Sequence, residues 1–355
     1  MKDQINKYHR TGTRKFSGIN LLRFIENDTP QRKPLTENAS PINNILQAAS
    51  PCVAILLSTY QGQSFLADQL ESFVKQTHTN WQVYASDDGS EDETIQILNT
   101  FKTKWAPEKL SINSGPATGF AANFLSLTCK NSIAASYYAY SDQDDIWEED
   151  KLEKAVRWLN TVPPDTPALY CSRTRLVDIN NNHIGFSPLF KKPPSFANAL
   201  MQNIGGGNTM VFNNAARKLL EQAGTNLPVI THDWWAYIVV SGCGGQVYYD
   251  PSPSVRYRQH CNNLVGMNST WSARMFRLKM LWQGRFRYWN DGNIEALEIL
   301  KDKLTPENQK ILNEFSLARK RSLLPRLIGF WKAGIYRQTF LGNLGLIMAA
   351  LLNKI

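Results

Sequence analysis

The chain has 355 residues, 43% of them hydrophobic, enough to build one large domain or two ordinary ones, which excludes disorder over the whole length. Its formal net charge of +9 is unevenly spread: residues 1–50 carry 8 basic and 4 acidic side chains, 51–265 carry 16 and 20, and 266–355 carry 15 and 6. A nucleic-acid enzyme places its positive field on the surface that holds the substrate, so a net-negative middle between basic flanks argues against nucleic acid as a partner.

Residues 1–50 read as a polar, basic extension, with linker chemistry in "NDTPQRKPLTENASP". The charged start has no apolar h-region behind it, so export by a signal peptide is not expected and the cytoplasmic side is. Cys52, Cys129, Cys171, Cys243 and Cys261 are odd in number, scattered and without a C-x-x-C pair, which speaks against a disulfide framework or a zinc site.

From residue 51 the pattern becomes strand, helix, strand, helix. "CVAILLS" is a buried-strand run, and the following "SFLADQLESFVKQT" puts Phe65, Leu66, Leu70, Phe73 and Val74 on one helical face. "WQVYAS" is a second strand, followed by a helix with Ile95, Leu98 and Phe101 at helical spacing. "KLSIN", the helix "GFAANFLSLTCK", the strand "SYYAYS" and the helix "EEDKLEKAVRWLN" continue the alternation. This order predicts an α/β domain with a mostly parallel sheet, whose ligands bind at the carboxyl ends of the strands.

Three loops at those ends carry the chemistry: Ser58-Thr59-Tyr60, Asp87-Asp88-Gly89-Ser90 and Ser141-Asp142-Gln143-Asp144-Asp145. In "YAYSDQDDIW" the alternate positions Asp142 and Asp144 point the same way in extended chain, so their carboxylates can share one hard divalent ion. A solvated loop in which Asp145 caps the next helix is the competing reading of those residues. An EF-hand is excluded, because Ile146 and Trp147 stand where a ligand and the turn glycine are needed. In "ASDDGSEDET" an acidic side chain can accept from a base imide or a ribose hydroxyl; a turn with a helix cap uses the same residues.

Taken together, "VAILLSTYQGQSFLADQLESFVKQTHTNWQVYASDDGSEDET" and "YAYSDQDDIW" resemble the family 2 glycosyltransferases, whose catalytic domain is the nucleotide-sugar-binding GT-A fold. The segments "GGGNTMVFN", "THDWW" and "YRQHCNNLVG" narrow the resemblance to bacterial rhamnosyltransferase-like and hexosyltransferase-like members that build surface polysaccharides. It covers about residues 51–266, leaving 267–355 as a basic, helical C-terminal region.

The resemblance implies an inverting, metal-dependent transfer of one sugar from a UDP- or dTDP-sugar donor to a saccharide acceptor carried on a polyprenyl diphosphate. Thr59, Tyr60, Asp87, Asp88, Asp142, Gln143 and Arg258 are then expected at the donor, and Asp144, with Asp142 and His260, at a Mn2+ or Mg2+ ion. Asp233 is the expected general base, and His232, Trp234, Trp235, Gly206 and Asn208 are expected around the acceptor. A phosphotransfer or nuclease enzyme would also use clustered Asp but should show a basic catalytic region; a non-catalytic saccharide-binding protein would have no use for both a metal loop and a separate base.

The tail "RSLLPRLIGFWKAGIYRQTFLGNLGLIMAALLNKI" is apolar with sparse positive charge, and its uncharged run from Gln338 to Asn353 is shorter than a spanning helix. It reads either as helices lying at the inner face of the cell membrane or as helices packing on the catalytic domain or on a second copy.

Overall fold

A computed structural model describes residues 50–260 and 284–355; the extension before Ser50 and residues 261–283, which include Cys261 and the end of "YRQHCNNLVG", lie outside them. The strands among the described residues are β1 (Val53–Thr59), β2 (Trp81–Asp87), β3 (Leu110–Ser114), β4 (Tyr137–Ser141), β5 (Ile146–Trp147), β6 (Ala168–Val177), β7 (His183–Phe186), β8 (Val211–Asn213) and β9 (Gln246–Arg258). They form one sheet in the order β3-β2-β1-β4-β8-β6-β9-β5, with β7 paired to β6.

The first half is parallel, as the alternation predicts: β3, β2, β1 and β4 all run the same way. The second half is mixed, because β8 enters antiparallel between β4 and β6, β9 runs parallel to β6, and β5 closes the edge antiparallel to β9. The expected α/β class holds.

β1 shows why the sheet forms. Its side chains alternate between two apolar clusters, Ala54 and Leu56 on one face and Val53, Ile55 and Leu57 on the other, as a strand covered on both sides requires. Helices α1 (Leu66–Val74), α2 (Thr94–Lys104) and α4 (Lys151–Leu159) cover the second face; α3 (Phe120–Thr128), α6 (Asn214–Ala223) and α7 (His232–Gly242) cover the first. Of the apolar face expected in the first helix, Leu66, Leu70 and Phe73 are buried while Val74 is half exposed. The short β5 was not expected. It interposes between the acidic loop and α4, so α4 begins after Asp150 and Asp145 is not its cap.

The described C-terminal helices pack on the α7 side of the sheet. A one-turn helix α5 (Phe196–Ala199) and α7 receive α8 (Arg285–Glu298) and α9 (Pro306–Lys320), α10 (Leu323–Lys332) packs on α9 and α11 (Phe340–Leu351) on α10, and the buried apolar residues of all four belong to the same cluster as α7. Trp289 meets Trp234 edge to face at 6.4 Å, Asn308 Nδ2 donates to the Gly242 carbonyl at 2.9 Å, and Asn198 Nδ2 donates to the Tyr336 carbonyl at 3.0 Å.

Gly292 allows α8 to sit against the chain before α7: a Cβ there would lie 2.2 Å from the Pro228 carbonyl oxygen, which is backbone and cannot swing away. Gly292→Ala is therefore expected to destabilise the protein by about 1–3 kcal/mol, read as a lower urea midpoint. Gly345→Ala in α11, where an added Cβ meets nothing within 4 Å, should leave the midpoint unchanged or raise it.

Candidate active site

Register brings the loops together. Thr59 pairs with Asp87 across β1 and β2, and Ser141 lies opposite Leu57 across β1 and β4, so the three loops leave the sheet side by side. Thr59 Oγ1 donates to Asp87 Oδ1 at 2.8 Å, and the same carboxylate accepts from Ser90 Oγ at 2.6 Å and from the Ser90 and Gly89 amides at 2.8 and 3.2 Å. Four donors on two oxygens commit Asp87 to shaping its own loop. Asp88 turns the other way and accepts from the Ala117 and Gly119 amides at 2.7 and 2.9 Å, which ties the β3–α3 connection to the same rim. Gly89 takes a φ of +96° in this turn, a conformation that a residue with a Cβ adopts poorly. Tyr60 is left 57% exposed at the mouth.

Gln143 holds the acidic loop to the first one. Its Oε1 accepts from the Tyr60 amide at 2.8 Å and its Nε2 donates to the Tyr60 carbonyl at 2.7 Å, a two-point clamp that imitates a strand pair. Behind the loop, Arg258 is buried; Nε donates to the Asp144 carbonyl at 3.1 Å, Nη1 to the Ile179 carbonyl at 2.9 Å and Nη2 to Asp68 Oδ2 at 2.9 Å. Its guanidinium also stacks over Phe65 at 4.6 Å. Arg258 is thus a strap beneath the loop rather than a side chain turned to its open side.

Below the mouth, Gln69, with its amide oriented to satisfy both ends, donates to the Asp145 carbonyl at 2.6 Å and accepts from Ser141 Oγ and Trp147 Nε1 at 2.6 and 3.1 Å. Asp145 is fully buried and accepts from Asn208 Nδ2 at 2.6 Å. Burial, with the charges of Asp144 and Asp142, pushes the Asp145 carboxyl well up, while burial pulls the Lys151 amine, seated over the Trp147 ring at 3.5 Å, well down. The floor of the site thereby tends toward neutral groups. Gln69 and Lys151 had no signal in the sequence, since each reads as an ordinary polar residue of an amphipathic helix.

Asp142 and Asp144 are only partly buried, unlike Asp145. Desolvation, then the Asp144 and Asp233 carboxylates, push the Asp142 carboxyl up to about 8. Asp233, 91 residues away in sequence, is therefore an electrostatic neighbour of the acidic loop. It stands in the first turn of α7, where its Oδ2 accepts from the Gly207 amide at 3.0 Å and its Oδ1 from the Trp234 amide at 2.7 Å. A Cβ on Gly207 would lie 3.2 Å from Asp233 Cβ and 2.5 Å from His232 Nε2, so the glycine is what permits this approach. Gly206 is exposed beside it.

His260 Nε2 lies 2.7 Å from Asp144 Oδ2, and its ring stacks on Phe65 with centroids 5.2 Å apart. Among the described residues no three His, Cys, Asp or Glu side chains converge as a complete metal cage. The chain offers a partial shell of hard oxygens plus one imidazole beside a carboxyl whose ionisation is opposed by its neighbours. These are donors of the kind that could hold Mg2+ or Mn2+.

The acceptor expectations divide. Trp235 is fully buried and Trp234 is 8% exposed with its Nε1 donating to the Ala199 carbonyl at 2.6 Å, so neither indole presents a face to a sugar. The cause is that α7 is covered on nearly every side, by the sheet, α5 and α8. His232 is buried as well, stacked on Phe124 at 3.8 Å and edge-on to Tyr140 at 4.6 Å, and burial lowers its imidazole to about 4. It is a neutral ring in an aromatic cage. Asn208 serves the acidic loop through Asp145.

Residues 54–220, which span β1 through β8 apart from its first residue and most of α6, match the family model described as Glycosyl transferase family 2. The dTDP-rhamnosyl transferase RfbG of Shigella flexneri is 28% identical over 239 residues, covering 63% of this chain and 78% of that protein. A putative teichuronic acid biosynthesis glycosyltransferase, TuaG of Bacillus subtilis, is 29% identical over 114 residues, 31% of this chain and 42% of the other. Among solved structures, the mannosyltransferase PcManGT of Pyrobaculum calidifontis in complex with GDP-Man and Mn2+ is similar with a TM-score of 0.48 and 15% identity, over 86% of each chain. S. aureus TarS residues 1–349 give a TM-score of 0.48 and 14% identity, over 80% of this chain and 92% of that one. The matched residues include the three converging loops and the glycine turn that meets Asp233, and on that footing residues 54–220 are a glycosyl transferase family 2 domain and the protein is a glycosyltransferase.

Proposed function

We propose that the protein is an inverting, metal-dependent enzyme that moves one sugar from a UDP- or dTDP-sugar to a saccharide acceptor on a polyprenyl diphosphate, in surface-polysaccharide synthesis. The observation that carries this reading is that Asp233 and Asp144 both bear electrostatically on Asp142, with Asp233 fixed by the Gly207 and Trp234 amides. Sugar transfer needs one group to take the acceptor proton and another place to hold the departing diphosphate, and the chain has carboxylates for both in one mouth. The similarity to a dTDP-rhamnosyl transferase supports a deoxyhexose donor in particular.

In this reading the nucleotide lies over the rim made by Thr59, Tyr60 and the Asp87–Asp88 loop, with the Gln143 clamp setting the position of Tyr60. Asp144 and His260, with Asp142, would hold Mn2+ or Mg2+. The ion, when bound, supplies Lewis-acid neutralisation of the diphosphate as its bond to the sugar breaks.

Asp233 accepts the proton of the attacking hydroxyl while that oxygen bonds to the anomeric carbon from the side opposite the diphosphate. One displacement inverts the configuration, and no covalent sugar–enzyme intermediate forms. The Gly207 and Trp234 amides hold the carboxylate still and leave it lone pairs for the incoming hydroxyl. Gly206, exposed next to that turn, is the acceptor-side contact retained from the sequence expectation.

Asp233→Asn should keep nucleotide-sugar binding in calorimetry and lower transfer by about 10²–10⁴-fold in a donor-turnover assay. Normal turnover by this variant would remove Asp233 from the role of base. Asp144→Ala should abolish any strengthening of dTDP or UDP binding by Mn2+ while leaving the melting temperature close to that of the parent. Metal-dependent nucleotide binding that survives this change would place the ion elsewhere.

A further inference from the structure

The two last helices turn an apolar stripe outward. In α10, Leu324, Ile328 and Trp331 recur at helical spacing and are 71%, 54% and 81% exposed; in α11, Phe340, Leu344 and Ile347 do the same at 83%, 49% and 53%. Eleven of the 23 large apolar side chains exposed among the described residues fall within residues 323–352. A concentration of this kind marks an interaction surface rather than scattered surface apolarity.

The stripe is not a core face left over. The opposite sides of both helices are already packed, with Phe330, Ala333, Ala349 and Ala350 buried. Gly329 meets α9 so closely that a Cβ would fall 2.6 Å from Ala318 Cβ. Arg326, also buried, donates to the Ala350 and Arg321 carbonyls at 2.9 and 2.8 Å and joins the two helices from beneath. Between the helices a groove of about 190 Å³ opens on the same side, walled by Trp331, Leu327, Leu346 and Ile347.

Charge selects the occupant. From Phe315 to the end the chain has seven Lys and Arg and no Asp or Glu, and Lys320, Arg321 and Lys332 are exposed. Arg321 has Glu314 of α9 at 4.0 Å, but α10 and α11 carry no carboxylate, so two copies meeting through this face would bring their cations together without one from either helix to pair them. An anionic surface would match them. The lengths agree: α10 and α11 have 10 and 12 residues, about 15 and 18 Å at 1.5 Å per residue, against a hydrocarbon core of about 30 Å. Among the described residues no helix is long and apolar enough to cross a membrane.

We infer that the outward face of α10 and α11 docks flat on a bilayer containing anionic phospholipid, the stripe entering the headgroup and upper acyl region and the cations meeting phosphate. This rests on the C-terminal face alone and stands or falls independently of the donor, metal and base assignments.

The test is co-sedimentation of the full chain with vesicles of phosphatidylcholine alone and of phosphatidylcholine mixed with phosphatidylglycerol, at low and high salt, with light scattering of the free protein. The parent should pellet with the mixed vesicles, less so at high salt and little with phosphatidylcholine alone. Leu324→Ser/Trp331→Ser/Phe340→Ser and, separately, Arg321→Glu/Lys332→Glu should each weaken that binding by about tenfold or more, with unchanged melting temperatures showing that the fold is kept. A parent that stays in the supernatant, or variants that bind as well as it does, would overturn the inference. A parent dimer that the triple Ser variant converts to monomer would overturn it too, by making the face an interface between copies.

Discussion

Asp144 and Asp233 each raise the cost of ionising Asp142, and the surrounding structure is arranged to hold these carboxylates where mutual repulsion would scatter them. Each has a restraint drawn from elsewhere in the chain. Arg258, from the last strand, grips the Asp144 carbonyl, Gln143 fastens the loop to Tyr60, and Asn208, from the glycine turn, holds Asp145. The Gly207 amide, from the same turn, fixes Asp233. Most of these restraints are hydrogen bonds to backbone, which set position without adding charge at the open side. What remains there is a cluster of carboxyl groups, where the proposed function would seat a cation and a diphosphate.

The position of Asp233 depends on residues beyond those matched by the family model. The helix that carries it is packed against the sheet on one side and the C-terminal helices on the other, through the Trp234–Trp289 contact and the Asn308 bonds to its last turn. Its tryptophans therefore serve as anchors in the core. The rigidity they confer would serve Asp233 in its proposed role as base, which has to meet a substrate oxygen at hydrogen-bond distance. The same C-terminal helices present the apolar stripe on their far side, so a single bundle would link the place where Asp233 is held to the surface proposed to meet lipid.

The strands and helices of the first half were legible residue by residue, because each alternates or recurs with the period of the element it forms: Val53 to Leu57 across the two sheet faces, and Leu66, Leu70 and Phe73 along one helix. The clustered acids at strand ends were legible for the same reason, since a loop at the carboxyl edge of a parallel sheet has its address written in the pattern before it. The mixed second half was not. β8 has three residues and β5 two, too short to carry a period, and their pairing partners lie far off in the chain.

By itself the sequence determined the α/β class, the three loops that converge and the apolar, cationic character of the tail, all of which follow from local spacing and composition. Only the tertiary structure decided which side chains face the opening. Trp234, Trp235, His232 and Asn208 sit near Asp233 in the chain or in space, yet burial turns them into supports, whereas Asp142, Asp144 and Asp233 remain at the mouth. A residue type states what chemistry is available. Whether it meets substrate or holds a neighbour depends on which neighbours desolvate it, and contacts across about ninety residues of chain leave no trace in a local pattern.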